Sequence, residues 1–377
     1  MRMLVFPYGY DCEPIIRHAN LLKSGYEIVA LVSPGGWGLA GKDIVLGSNG
    51  KALYIYETIH EVREEFDSLF IPAFEVIEEE VENRLVDEMV KLLPSISYVI
   101  CTAHLTDENQ KKLEEACRQI ALSCCFFDFY EYEAIKKNDW SMTVEKYTSL
   151  QQLDVPIVIV AGVWEKNDKF EISLALRERF IQNDYRISQI GSRDGCEMMG
   201  FHSFPKFMFQ KDFDAADRII LFNRFVFQMI NEEQPDLVLI TVPGAIQDFS
   251  EKFIRGFGLL HHQVCQAVLP DILVMCSCYM PDHPELLEEI SMSCRYRFGA
   301  DVDVFHMSNL LIDVHDSEER NSIVTNSIYR KTVSETVARK FANSSIPIFN
   351  GLEPEDCDKM FNIIIDKLMP KDVRFVV

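Results

Sequence analysis

Short apolar runs alternate with amphipathic stretches along almost the whole chain, and this alternation constrains the fold more than any other feature. A run rich in Val, Ile and Leu followed by apolar residues spaced three and four apart is a strand leading into a helix. Repeated, that unit builds mostly parallel sheets covered on both faces. The first half predicts strands at 3–7, 27–32, 52–56 and 98–102, and helices at 13–24, 75–93 and 107–120, the last opened by Thr106 and Asp107 as a cap signal. The run Glu78-Glu79-Glu80 reads as a solvated helix face. The second half predicts strands at 155–160, 185–190, 236–241, 271–276 and 301–305, and helices at 169–182 and 212–232 and near 247–257, 283–292 and 354–368. Between 131 and 154 the sequence turns polar and irregular, which places a domain boundary there: 1–150 and 151–377. A chain of 377 residues also exceeds the usual ceiling for one core.

Charge narrows the function. A net charge of −22, from 59 acidic against 37 basic residues, argues against nonspecific nucleic-acid or anionic-membrane binding, since both need a positive field; a basic partner fits better. No window approaches the ~18 consecutive apolar residues of a membrane span, and no signal-peptide core follows Met1, so a cytoplasmic protein is expected. Eleven cysteines spread over a long chain read as reduced thiols. His261, His262, Cys265, Cys276, Cys278 and Cys294 suggest zinc by type but lack paired C-x₂₋₄-C spacing, so buried thiols and no metal are expected.

The stretch Val158-Ile159-Val160-Ala161-Gly162-Val163-Trp164-Glu165-Lys166-Asn167-Asp168-Lys169-Phe170 is a buried-type strand, a Gly turn and a Lys that opens an amphipathic helix. That is phosphate-loop architecture: backbone N–H groups and a helix N-terminus surround phosphate oxygens while an ammonium neutralises them. Lys169 follows Gly162 by seven positions, one more than in G-x-x-x-x-G-K-[ST]. Asp168 replaces the Gly before the Lys, and Phe170 replaces the Ser or Thr that would hold Mg²⁺. The strand 236–241 ends in Thr241, before Val242-Pro243-Gly244, where phosphate-loop enzymes carry an acidic Mg²⁺ partner; Asp248 is a weak substitute. An aspartate facing the phosphates would repel them, so the loop is expected to keep its fold without hydrolysis. Gly162, Asn167, Lys169, Arg193, Thr241 and Gly244 are the candidate residues for ATP or another nucleotide.

The strand at 185–190 runs into Gly191-Ser192-Arg193-Asp194-Gly195-Cys196-Glu197 and on to Gly200-Phe201-His202, at the edge where open α/β sheets bind ligands. Arg193 suits an anion clamp. Cys196 and His202 suit a nucleophile and base or a pair of metal ligands, and Glu197 joins them as a candidate catalytic residue, but one short loop gives no geometry. Near the N-terminus, the turns around Tyr8-Gly9 and Ser33-Pro34-Gly35-Gly36 lack G-x-G-x-x-G, which weighs against a dinucleotide site; a groove formed with Cys101-Thr102-Ala103-His104 stays open as a reading.

The block Lys169-Phe170-Glu171-Ile172-Ser173-Leu174-Ala175-Leu176-Arg177-Glu178-Arg179-Phe180 and the blocks Ser188-Gln189-Ile190-Gly191-Ser192-Arg193 and Gly200-Phe201-His202-Ser203-Phe204-Pro205 carry a resemblance. Through them the chain resembles a clostridial peptide maturation system protein family, encoded beside radical SAM maturases and small Cys-rich precursor peptides. The loop length is similar to that of the dethiobiotin synthetase and cobyric acid synthase type. The resemblance implies an α/β protein with a Rossmann-like N-terminal half and a degenerate P-loop NTPase-like C-terminal half. It further implies a component of ribosomal peptide (RiPP) maturation that binds a precursor peptide, a radical SAM maturase or both, with room for a homo-oligomer. The alternative is an ATP-dependent ligase or kinase-like enzyme that activates a carboxylate.

Overall fold

The computed structural model describes residues 1–47, 50–74, 78–126, 149–252, 257–281 and 284–369. The chain divides into two compact units. One holds the described residues up to 126 together with Asp194–Gly200, and the other holds the remainder.

The first unit is a seven-stranded sheet of β1 (Arg2–Val5), β2 (Glu27–Val32), β3 (Asp43–Leu46), β4 (Lys51–Tyr56), β5 (Ser68–Ile71), β6 (Tyr98–Cys101) and β7 (Ser123–Phe126). The spatial order is β3-β4-β2-β1-β5-β6-β7, and every neighbouring pair except β3 with β4 is parallel. From β4 to β7 this is the Rossmann order 3-2-1-4-5-6. Leu4 of β1 packs with α2 (Glu79–Leu92) and α3 (Asp107–Gln119) through Leu85, Met89 and Leu113. Met3 and Val5 pack on the other face with Ile16 of α1 (Glu13–Arg17). The predicted helix at 13–24 is thus one short helix followed by a 3₁₀ turn at Ala19–Leu21. Residues 75–77 of the predicted 75–93 helix, and 131–148 of the polar boundary stretch, lie outside the described residues.

The second unit is a six-stranded, fully parallel sheet of β8 (Ile157–Gly162), β9 (Ile187–Ile190), β10 (Leu237–Thr241), β11 (Ile272–Ser277), β12 (Val304–Met307) and, after a small antiparallel hairpin of β13 (Leu310–Asp313) and β14 (Val324–Ser327), β15 (Ile348–Phe349). Its order is β15-β12-β11-β8-β10-β9. All six residues of β8 are buried: Ile157, Ile159 and Ala161 face one core, Val158 and Val160 the other. Burial of each such aliphatic side chain contributes about 1.5–3 kcal/mol, so β8 is a rigid post for the loop that follows. One face is covered by α4 (Lys169–Gln182) and by the helix Pro354–Leu368, through Ile172, Leu176, Met360 and Ile364. The other face is covered by α5 (Ala215–Glu233), α6 (Leu259–Ala267) and α7 (Pro284–Phe298), then by α9 (Arg330–Lys340), which follows α8 (Val314–Arg320).

The predicted helix near 247–257 is a correction. Its described residues are bends and turns, with 253–256 outside the described set, and the helix is α6. Gly258 sits at φ +69°, and a Cβ there would meet the Ile246 carbonyl at 2.3 Å, so a helix can begin after this residue but not run through it.

Candidate functional site

The C-terminal edge of the second sheet is organised around β8. Chain connections leave β8 towards β9 and leave β11 in the opposite direction towards β12, so a topological switch point lies between β8 and β11, where open α/β sheets take their ligands. Gly162 ends β8 in register with Cys276 of β11, and the next residue, Val163, donates its amide to the Cys276 carbonyl at 2.9 Å. The Gly162 carbonyl accepts from the Ile246 amide at 2.9 Å, and the Trp164 indole N–H donates to the Asp248 carbonyl at 3.3 Å. The loop after β10 is thereby laced to the loop after β8.

Asn167 supports the loop from within. Its amide nitrogen donates to the Trp164 carbonyl at 2.5 Å and to the Cys276 carbonyl at 3.1 Å, and its Oδ1 is buried without a partner among the described residues. It packs so closely on Gly162 that a Cβ at that position would sit 2.1 Å from Nδ2. Gly162 is therefore required for the close approach.

Asp168 occupies the left-handed region at φ +61°, the geometry that favours the glycine it replaces. Its carboxylate accepts a hydrogen bond from the Ser308 hydroxyl and lies 3.7 Å from His306 Nε2. His306 Nδ1 accepts from the Gly351 amide at 3.0 Å, which puts the neutral ring's proton on Nε2, facing Asp168. Asp168, expected from the sequence to face the phosphates, is thus held by the Ser308 hydroxyl just beyond β12.

Lys169 is the first residue of α4, and its ammonium donates to the Gly244 carbonyl. Among the described residues no carboxylate forms an ion pair with it. Burial pulls it down to about 8, opposed by the field of Glu165 and of Cys276 and reinforced by Arg193. The first intrahelical bond of α4 runs from the Ile172 amide to the Asp168 carbonyl, so the amides of Lys169 and Phe170 stand outside the helical ladder. Arg193, beyond β9, lies with its guanidinium carbon 4.6 Å above the centre of the Phe170 ring, which is itself 4% exposed. Thr241 is fully buried at the end of β10, and its hydroxyl has no partner among the described residues.

Gly162 is thus in contact with Asn167, and Lys169 with Gly244, while Arg193 lies over Phe170 and its field reaches Lys169. Cys196, Glu197 and His202 are placed differently. Cys196 and Glu197 lie on a 3₁₀ turn, Cys196–Met199, that belongs to the first unit, where the Met198 carbonyl accepts from the Lys23 amide at 2.8 Å and Asp194 lies 3.5 Å from His104. Cys196 is 2% exposed. His202 belongs to the second unit, and its Nε2 is held 2.5 Å from Glu233 Oε1, whose partner oxygen accepts from Ser188 at 2.5 Å. The His202 hydrogen bond, aided by that of Ser188, holds the Glu233 carboxyl below its usual value.

Sequence reading did not assign three groups at this edge a role there. Ser308, which holds Asp168, and His306, which lies beside it, stand at the end of β12 with no local motif to mark them. His261 of α6 attracted notice for zinc only; it is 2% exposed, neither ring nitrogen has a partner among the described residues, and burial, with the Lys169 charge, depresses its pKa far below the usual histidine range. No cluster of three or more His, Cys, Asp or Glu able to hold a metal occurs among the described residues. Mg²⁺, which phosphate-loop enzymes hold with a Ser or Thr hydroxyl and an acidic side chain, does not fit the residues present, a phenyl ring at 170 and a threonine at 241.

No protein-family model matches the sequence, and no curated protein matches it. Among solved structures, the chain is similar to a DUF1611 family protein from Anabaena variabilis, at 13% identity and a TM-score of 0.61, covering 97% of this chain and 99% of that one. It also matches a GTPase from Pyrococcus abyssi in its apo form (14% identity, TM-score 0.29, 55% of this chain and 96% of that one). A third match is chloroplast FtsY from Physcomitrella patens (14%, 0.30, 77% and 90%). The first likeness shows a shared fold over 97% of this chain. None of these matches shows a peptide-maturation family. No helix among the described residues is long and apolar enough to cross a membrane.

Proposed function

We propose that the chain binds a phosphate-bearing anion of the nucleotide class at residues 162–169, with Lys169 and Arg193 as its charge partners and without hydrolysing it. The observation that carries this reading is Lys169. A partly buried ammonium whose hydrogen-bond acceptor is a backbone carbonyl rather than a carboxylate is costly to keep, and such groups gather where an anion is to be received. The loop amides, the start of α4 and the Arg193 guanidinium face the same need. Binding is preferred over turnover because Phe170 and Thr241 remove the oxygen and charge that a metal-assisted transfer uses. The ligase or kinase-like alternative requires a metal donor elsewhere. A role in ribosomal peptide maturation, with a precursor peptide or radical SAM maturase as partner, rests on the sequence resemblance alone.

Calorimetric titration with ATP and GTP, beside Lys169→Ala, tests the reading. Micromolar binding that the substitution abolishes supports it. No heat at millimolar nucleotide, with a folded protein by circular dichroism, refutes it.

A further inference from the structure

Two positions supply protein oxygens to the divalent cation of a phosphate loop, and in this chain they are a buried phenyl ring and an uncharged threonine. A positive charge nevertheless lies over the ring that fills the first of them. The Arg193 guanidinium lies 4.6 Å over the Phe170 ring, and its charge reaches Lys169. We infer that Arg193 takes the electrostatic place of the divalent cation, so that the loop receives its phosphoanion metal-free. This rests on the phosphate-binding reading of residues 162–169 and adds to it the ionic form of the ligand.

The chemistry is consistent at each residue. A guanidinium held over an aromatic face gains from the ring quadrupole while its N–H fork can still pair with two phosphate oxygens at once. Mg²⁺ in the same place would need oxygen donors that Phe170 cannot give, and it would sit beside a fixed cation. Asp168 is engaged by the Ser308 hydroxyl. Glu165 is the acidic group whose field on Lys169 is largest, and so it is the residue through which a metal could still enter. Two fixed cations favour the free polyanion over its magnesium complex, which carries two fewer negative charges.

The full-length protein is titrated with ATP in buffer containing EDTA and again in excess MgCl₂, as wild type, Arg193→Met, Phe170→Leu and Glu165→Gln, each checked for folding by its thermal transition. The expected result is binding in EDTA at least as tight as in Mg²⁺, weakened about tenfold or more by Arg193→Met, a change of the size of one lost charge-assisted pair. Phe170→Leu keeps the apolar volume and the arginine but removes the ring, and should give a smaller loss. Binding that requires Mg²⁺, or that persists in Arg193→Met and disappears in Glu165→Gln, would overturn the inference and place a metal on Glu165 while leaving the phosphate site standing. Absence of binding in both buffers would overturn the phosphate site and this inference together.

Discussion

Replacing Lys169 by Met should make the protein more stable while removing its affinity for anions. In the folded state burial brings the ammonium from 10.5 to about 8, whereas in the unfolded chain it keeps the ordinary value. That difference of ~2.5 units corresponds to roughly 3 kcal/mol of destabilisation at pH 7, at about 1.36 kcal/mol per unit. Methionine has similar length and no charge, but it gives up the hydrogen bond to the Gly244 carbonyl, worth about 1 kcal/mol, which leaves a net gain of about 2 kcal/mol. The sign has a pH signature. Between about 8 and 10.5 the unfolded chain holds the proton and the folded one has released it, so wild-type stability rises with pH across that window and the variant's does not. The advantage of Lys169→Met should be largest at pH 7 and gone near pH 10.5. Urea unfolding followed by tryptophan emission, to which Trp164 of the same loop contributes, measures both. A variant less stable at pH 7, or an advantage that does not shrink with pH, would refute the description of Lys169 as a costly buried cation.

Gly162→Ala should cost roughly 2–3 kcal/mol, because the new Cβ meets Asn167 Nδ2 at 2.1 Å and breaks its bonds to Trp164 and Cys276; the cost should fall in Gly162→Ala/Asn167→Ala, measured as a double-mutant cycle. Thr241→Val should be neutral or stabilising by up to about 1 kcal/mol in thermal unfolding, since the hydroxyl is buried without a partner. Asp168→Gly suits the left-handed backbone and removes a carboxylate already held by Ser308, so ATP affinity should stay within about threefold by titration; a tenfold rise would show that Asp168 does repel the ligand. Glu233→Gln should lower stability at neutral pH, and the deficit should disappear as pH falls below the depressed carboxyl value, because the folded-state advantage of the ionised Glu233 exists above about 4.5 and is lost through that range.

Much of the second unit was legible in the sequence where apolar periodicity was strong. The helices expected at 169–182 and 354–368 coincide with Lys169–Gln182 and Pro354–Leu368, and the run Val158-Ile159-Val160 marked the central strand. Local signals failed where the strand was short or the geometry was set by a distant residue. The four residues of Ser68–Ile71, wedged between Glu64-Glu65 and Pro72, make β5, a neighbour of β1 in the first sheet, yet offer no period. Strand order itself leaves no local trace. The site was half legible. Gly162 and Lys169 follow from phosphate-loop spacing, but the Ser308 that commits Asp168 lies 140 residues away, and the Gly244 carbonyl that holds Lys169 lies 75 away. The hydrogen bond that Ser308 gives Asp168 therefore leaves no local trace in the sequence.

A crystal structure of the protein grown with ATP is the most direct test of the site. The account predicts phosphate oxygens at the residue 162–169 loop, with the Lys169 ammonium moved from the Gly244 carbonyl onto them and Arg193 still over the Phe170 ring. ATP bound elsewhere at saturating concentration, with Lys169 still on Gly244, would contradict it.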